Sequence, residues 1–253
     1  MNTPEASADG RKALPRVAHL HVIGGLLGAN VYIDGFNLYF CAVKGTSYKW
    51  LNLLTLCNIL FPTVEIKRIK YFSAKVKALP HDPSAPTRQD TYWRALKTVP
   101  NLEIIEGNFV SWPRLLPQSP FAYVYGTNKP PQKVQVQRTE EKGSDVNLAA
   151  HLVYDNCMKD AKDTDGSIVI SNDSDLANAI ELVTANLSRP VTVVNPNRTN
   201  KVHSDPKHCA LQQDLRRVST DQVPSINPSV LVKAQFPTTM TDAKGSFTKP
   251  ASW

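Results

Sequence analysis

The hydrophobic pattern of this chain switches repeatedly between two periods. Short apolar runs of strand type, "ANVYID" (29–34), "EIKRIKYFSAKV" (65–76), "LEIIEGNFV" (102–110), "SIVISN" (167–172) and "RPVTVVNPN" (189–197), are separated by segments with helical spacing. "NLYFCAV" (37–43) is one such segment. "KWLNLLTLCNILF" (49–61) places Leu53, Leu56, Cys57 and Leu60 on one stripe, and "PTRQDTYWRALKTV" (86–99) opens on Pro and keeps Tyr92, Leu96 and Val99 together. "GSDVNLAAHLVYDNCM" (143–158) predicts a helix with Val146, Ala149, Ala150 and Val153 on its apolar side, and "DLANAIELVTANL" (175–187) predicts another. "KVQVQRTE" (133–140) alternates strictly, as an edge strand does, whereas the prolines at 113, 117, 120, 130 and 131 make 111–132 a loop or an irregular insertion. "KHCALQQDLRRV" (207–218) predicts a last short helix, and the Pro-, Thr- and Ser-rich residues after it are expected to be extended.

Strands separated by helices imply parallel βαβ units and an open, doubly wound sheet, whose functional crevice lies beyond the carboxyl ends of the strands. Residues 29–200 form the predicted domain. Residues 1–28 are expected to be a disordered extension, and 201–253 a helix and tail packed on the same domain.

Composition narrows the class only a little. A net charge of +7 with 20% charged residues is compatible with a polyanionic partner and equally with an ordinary solvated basic surface. The stretch 17–33 is the nearest to a membrane span, but it holds two His and an Asn and runs into Asp34. The cysteines at 41, 57, 157 and 209 form no CxxC pair and lack a zinc-type His spacing, which points to thiols in a reducing cytoplasm.

The carboxylates change the picture more. Asp34 ends the first strand, Asp173 and Asp175 follow "SIVIS", and Asp145 opens the helix after the alternating strand. Taken singly, each reads most simply as a helix cap or a first-turn acid. Together on one sheet edge they would repel and raise one another's pKa unless a cation neutralised them. An oxygen-only set favours Mg²⁺ or Mn²⁺ over zinc, and such an ion beside phosphates activates water for phosphodiester cleavage. Asn37, three residues after Asp34, would bond a phosphate, orient a metal-bound water or close a local Asx turn. Lys142, three before Asp145, would pair with it or contact the scissile phosphate, and Ser171 and Asn172 are assigned to substrate contacts.

At these residues the chain resembles the NYN domain family, a branch of the PIN-like nucleases. The matching stretches are "VYIDGFNLYF", "IKYFSAKV", "EEKGSDVNLAAHLV" and "SIVISNDSDLANAI", in order, and "KPASW" after "GSFTK" looks like the end of bacterial members. The resemblance spans 29–253 and implies an α/β fold, a Rossmann-like three-layer sandwich with a mostly parallel central sheet. It implies a metal-dependent endoribonuclease with Asp34, Asp145 and Asp173 as Mg²⁺ or Mn²⁺ ligands. Asp175 would be a fourth or outer acid, and Asn37 a polar partner. Asn172 stands where many members have Gly, and "LANAI" where they have an aromatic with a nearby Pro.

The expected partner is therefore RNA, single-stranded or structured, with a second copy of the chain as a further option and no membrane. The alternative is a non-catalytic module that binds RNA or protein through the same cleft. A phosphatase with an Asp nucleophile fits less well, because Phe36 stands where its second acid is needed.

Overall fold

The computed structural model describes residues 27–118, 133–158, 163–199 and 209–253. Strand β1 (Leu27–Asp34) is followed directly by the short helix α1 (Gly35–Leu38), which continues as a π-turn over Tyr39–Val43. Then come α2 (Leu53–Leu60), β2 (Val64–Ala74), α3 (Ala85–Leu96), β3 (Leu102–Pro117), β4 (Lys133–Lys142) and α4 (Ser144–Cys157). The second half holds β5 (Gly166–Ile170), a 3-10 turn over Ser174–Leu176, α5 (Ala177–Glu181) and β6 (Val191–Val194). It ends with α6 (Gln213–Val218), β7 (Asp221–Val223), α7 (Pro228–Lys233) and the hairpin β8 (Thr239–Asp242)–β9 (Gly245–Thr248).

The first seven strands form one sheet in the order β4–β3–β2–β1–β5–β6–β7, parallel throughout except for the antiparallel β3–β4 pair. This is the expected α/β sandwich with a mostly parallel central sheet. Chain order reverses between β1 and β5, so the switch point lies where β1 ends in Asp34.

Alternation along the central strands explains the two cores. Val31 and Ile33 of β1, with Ile168 and Ile170 of β5, face the layer of α2, α3 and α7, where Leu53, Leu56, Trp93 and Leu96 are buried. Tyr32, Phe72 and Val169 face the other layer, built on Leu148 and Leu152 of α4, Ile180 of α5 and Leu215 of α6.

Several expectations are corrected. Helix α4 buries Ser144, Leu148, Leu152 and Asn156, while Val146, of the stripe expected to be buried, is 72% exposed. That stripe faces a groove between α4 and α5, because the sheet-facing side is taken by the larger leucines. Strand β3 does not stop at 110 but runs through Pro113 to Pro117. Beyond Gly107 it has left β2 and pairs only with β4, so the prolines sit where one edge of the strand is unpaired. Beyond the strand at 191–194 the sheet continues with β7, which the sequence pattern does not announce. The C-terminal segment is not simply extended: it supplies β7, α7 and a hairpin clamped to α3 by the Arg94–Asp242 pair at 2.6 Å. The expectations for residues 1–26, 119–132 and 207–208 lie outside the described residues.

Candidate metal centre

The turn after β1 is the start of the site. Asp34 shares its strand face with Tyr32 and so points toward α4, and it is only 4% exposed. Its Oδ1 accepts the Asn37 backbone N–H at 2.9 Å, which caps α1, and its Oδ2 accepts the Ser171 hydroxyl at 3.0 Å. Gly35 allows this turn to lie on β2, because a Cβ there would stand 2.6 Å from the Tyr71 ring and 2.7 Å from the Phe72 carbonyl oxygen.

Two further turns bring their acids to Asp34. After β5, Ser171 Oγ accepts the Asp173 N–H at 3.1 Å, and Asp173 Oδ1 accepts the Asp175 N–H at 3.0 Å, capping the 3-10 turn. At α4, Gly143 takes φ 100°, and Glu141 Oε1 accepts both the Ser144 N–H (3.1 Å) and its hydroxyl (2.7 Å). That cap aims the first helical turn, with Asp145, at the sheet edge. Oxygen atoms of Asp34, Asp145 and Asp173 all lie within 4.8 Å of one another.

Among the described residues no Lys or Arg forms an ion pair with any of the three acids. Burial pushes the Asp34 carboxyl up to about 7, with the charges of Asp145 and Asp173 adding to it and the Asn37 and Ser171 hydrogen bonds opposing. Burial likewise pushes Asp145 up to about 6, helped by Asp173, Glu141 and Asp175. The hydrogen bonds seen at Asp34 and Asp173 leave further oxygen lone pairs free. An all-oxygen donor set of this spacing suits a hard divalent cation.

The cap interpretation and the cluster interpretation are thus both true of Asp34 and Asp173. The other expected site residues sort differently. Asp175 is exposed and stands outside the three-carboxylate group, raising the pKa of Asp145 from the groove between α4 and α5. Asn37 Oδ1 accepts the Asn172 backbone N–H at 3.0 Å, tying the Asp34 turn to the Asp173 turn. Ser171 is fully buried and Asn172 nearly so. The Asn172 side chain bonds Ala210 O and Gln212 N at 2.9 Å each, so it anchors the segment before α6 rather than facing the cleft. Lys142 is exposed with its ammonium 5.5 Å from the centre of the Trp112 ring, not paired with Asp145. Glu141 escaped the sequence reading because it precedes Ser144 by three residues, the reverse of the Ser-x-x-Glu order of a capping box.

No family model matches the chain. A curated relative, the 6-hydroxy-3-succinoylpyridine 3-monooxygenase HspA of Pseudomonas putida (strain DSM 28022 / S16), is 28% identical over 253 aligned residues, 90% of this chain and 75% of its own. That relative is an enzyme. A solved structure, a Vibrio parahaemolyticus RIMD 2210633 protein of unknown function (VPA0982), aligns over 79% of this chain and 93% of its own at 16% identity, with a TM-score of 0.46.

Proposed function

We propose that the chain is an enzyme, a metal-dependent endoribonuclease that hydrolyses RNA phosphodiester bonds. The observation that carries this reading is the gathering of Asp34, Asp145 and Asp173 within 4.8 Å at the switch point of the sheet. A bound Mg²⁺ or Mn²⁺ would supply Lewis acidity and a lowered pKa for water. The chain's own residues do the rest. Asp34, Asp145 and Asp173 would hold the cation. Ser171 and Asn37 fix the relative position of the two strand-end turns through the bonds to Asp34 and to Asn172 N–H. The basic balance of the chain, +7 overall, draws a polyanion toward an acidic centre that would otherwise repel it.

The test is cleavage of a labelled mixed-sequence RNA with Mn²⁺, with Mg²⁺ and with EDTA, beside Asp173→Asn. Asn retains a side-chain oxygen to cap Asp175 while removing the ligand charge, so the variant is expected to fold and lose cleavage. RNA held but left intact under every condition would favour the non-catalytic binding module instead.

A second reading is favoured by the relative's name over 90% of the chain: oxygenation of a small aromatic compound at the same centre. The two are separated by product, since a monooxygenase leaves RNA intact and consumes dioxygen and an external two-electron donor, placing one oxygen atom on the aromatic substrate and releasing the other as water.

A further inference from the structure

A cavity of about 320 Å³ is lined by residues of α1, β2 and α3 together with Trp253. Its lining mixes aliphatic and charged residues with the aromatic rings of Phe36, Phe40, Tyr71, Tyr92, Trp93 and Trp253. Phe40 is 52% exposed; Tyr39 meets its ring edge to face at 5.3 Å and the Lys44 ammonium lies 4.6 Å from its centre. The charged residues are cationic on balance. Asp82 pairs with Arg88 at 2.5 Å and also feels the Lys49 charge, while Lys77 donates to Ser111 Oγ at 3.5 Å, so one carboxylate faces two lysines and an arginine in the lining. Ser73, buried on the floor beside Tyr71, adds a hydroxyl. None of the three clustered aspartates lines this cavity, but Gly35, next in sequence to Asp34, does.

We propose that this cavity is a binding site for a planar aromatic ring carrying an anionic group. The volume is that of a small-ligand pocket. Aromatic side chains in the lining favour a ring over an aliphatic chain. Lys49 and Lys77 complement one negative charge on the ligand. Nucleobases with their phosphate and free aromatic acids share this chemistry, and both would present the ring beside the end of β1. The site stands apart from the reaction assigned to the acidic cluster and does not need a metal.

Titration calorimetry in EDTA tests it, with adenosine 5′-monophosphate and 4-hydroxybenzoate as ring-bearing anions, and phenol and inorganic phosphate as the separate halves. Saturable binding of a ring-bearing anion, tighter than either half alone, is expected; which of the two binds identifies the source as nucleotide or free acid. The Lys49→Ala/Lys77→Ala double variant should weaken it by about tenfold, as should Phe40→Ala in part, while Asp173→Asn leaves it unchanged. Phe40 and Lys77 are exposed, so these variants are expected to fold. Absence of binding by both ring-bearing anions at millimolar concentration, or binding that the lysine and Phe40 variants leave untouched, would overturn the proposal. Failure of RNA cleavage would not bear on it.

Discussion

Asp34 shows how one carboxylate serves two ends. Each of its oxygens accepts one structural hydrogen bond, yet burial and its acidic neighbours hold its carboxyl near 7, above its ordinary 3.8. Without a cation, the folded protein favours the protonated form where the unfolded chain has ionised. That contribution to stability is full below about 4 and is lost as pH rises through about 7, by a few kcal/mol at most. In EDTA the melting temperature should therefore fall between pH 5 and pH 8, roughly the span of this titration. Asp34→Asn, which keeps an acceptor for the α1 cap, should flatten that fall and melt no lower than wild type at pH 8; a steeper fall in the variant would contradict the assignment. Gly35→Ala is expected to destabilise by about 1–3 kcal/mol in denaturant titration, because the new Cβ meets the Tyr71 ring and the Phe72 carbonyl, and backbone cannot swing aside. The three acids were legible in the sequence because Asp34 and Asp173 follow the carboxyl ends of parallel strands, and the helix that Asp145 opens starts where the antiparallel β4 returns to that edge. The roles of Ser171 and Asn172 were not, because which way a side chain leaves a turn depends on segments distant in sequence, here Asp34 and residues 210–212.

At the scale of elements, the site depends on where α4 sits. Beneath it, Lys70 of β2 is 4% exposed and donates to Asp155 Oδ2 at 2.7 Å, with the His151 Nδ1 at 3.0 Å and the Tyr32 hydroxyl donating to the same Asp155 oxygen at 2.9 Å. This buried group joins β1 and β2 to the C-terminal half of α4, and so sets the angle at which Asp145 arrives. Lys70→Met strands the Asp155 charge and should cost about 3–5 kcal/mol in chemical denaturation, whereas Lys70→Met with Asp155→Leu should recover most of the loss. Equal losses in the single and double variants would show that the pair does not act as a unit. The same helix explains a misreading. Both of its long faces are apolar, Leu148 and Leu152 on one and Val146, Ala149, Ala150 and Val153 on the other, and periodicity cannot choose between them. The sheet chooses the face with larger side chains. The extension of β3 was hidden for a related reason: its prolines read as a loop until β4, 16 residues from Pro117 to Lys133, pairs with it. The short strand β7, half-buried and only 3 residues long, leaves no period to detect.

The whole molecule places an acidic centre at the switch point of a parallel sheet in a chain of net charge +7. No helix among the described residues is long and apolar enough to cross a membrane. If RNA is the substrate, the long-range attraction comes from the basic surface and not from the site. Affinity for a labelled RNA should then drop by about tenfold or more on raising salt from low to physiological concentration, measured by fluorescence anisotropy in EDTA. A salt-independent affinity would remove the electrostatic part of the account. The central claim, however, is that Asp34, Asp145 and Asp173 form a cation site, and titration calorimetry of Mn²⁺ into the chelator-stripped protein at pH 8 addresses it directly. Saturable binding that is lost in Asp145→Asn and weakened at pH 5, where Asp34 and Asp145 are protonated, is the predicted result. No binding at millimolar Mn²⁺, or binding that Asp145→Asn leaves intact, would contradict it.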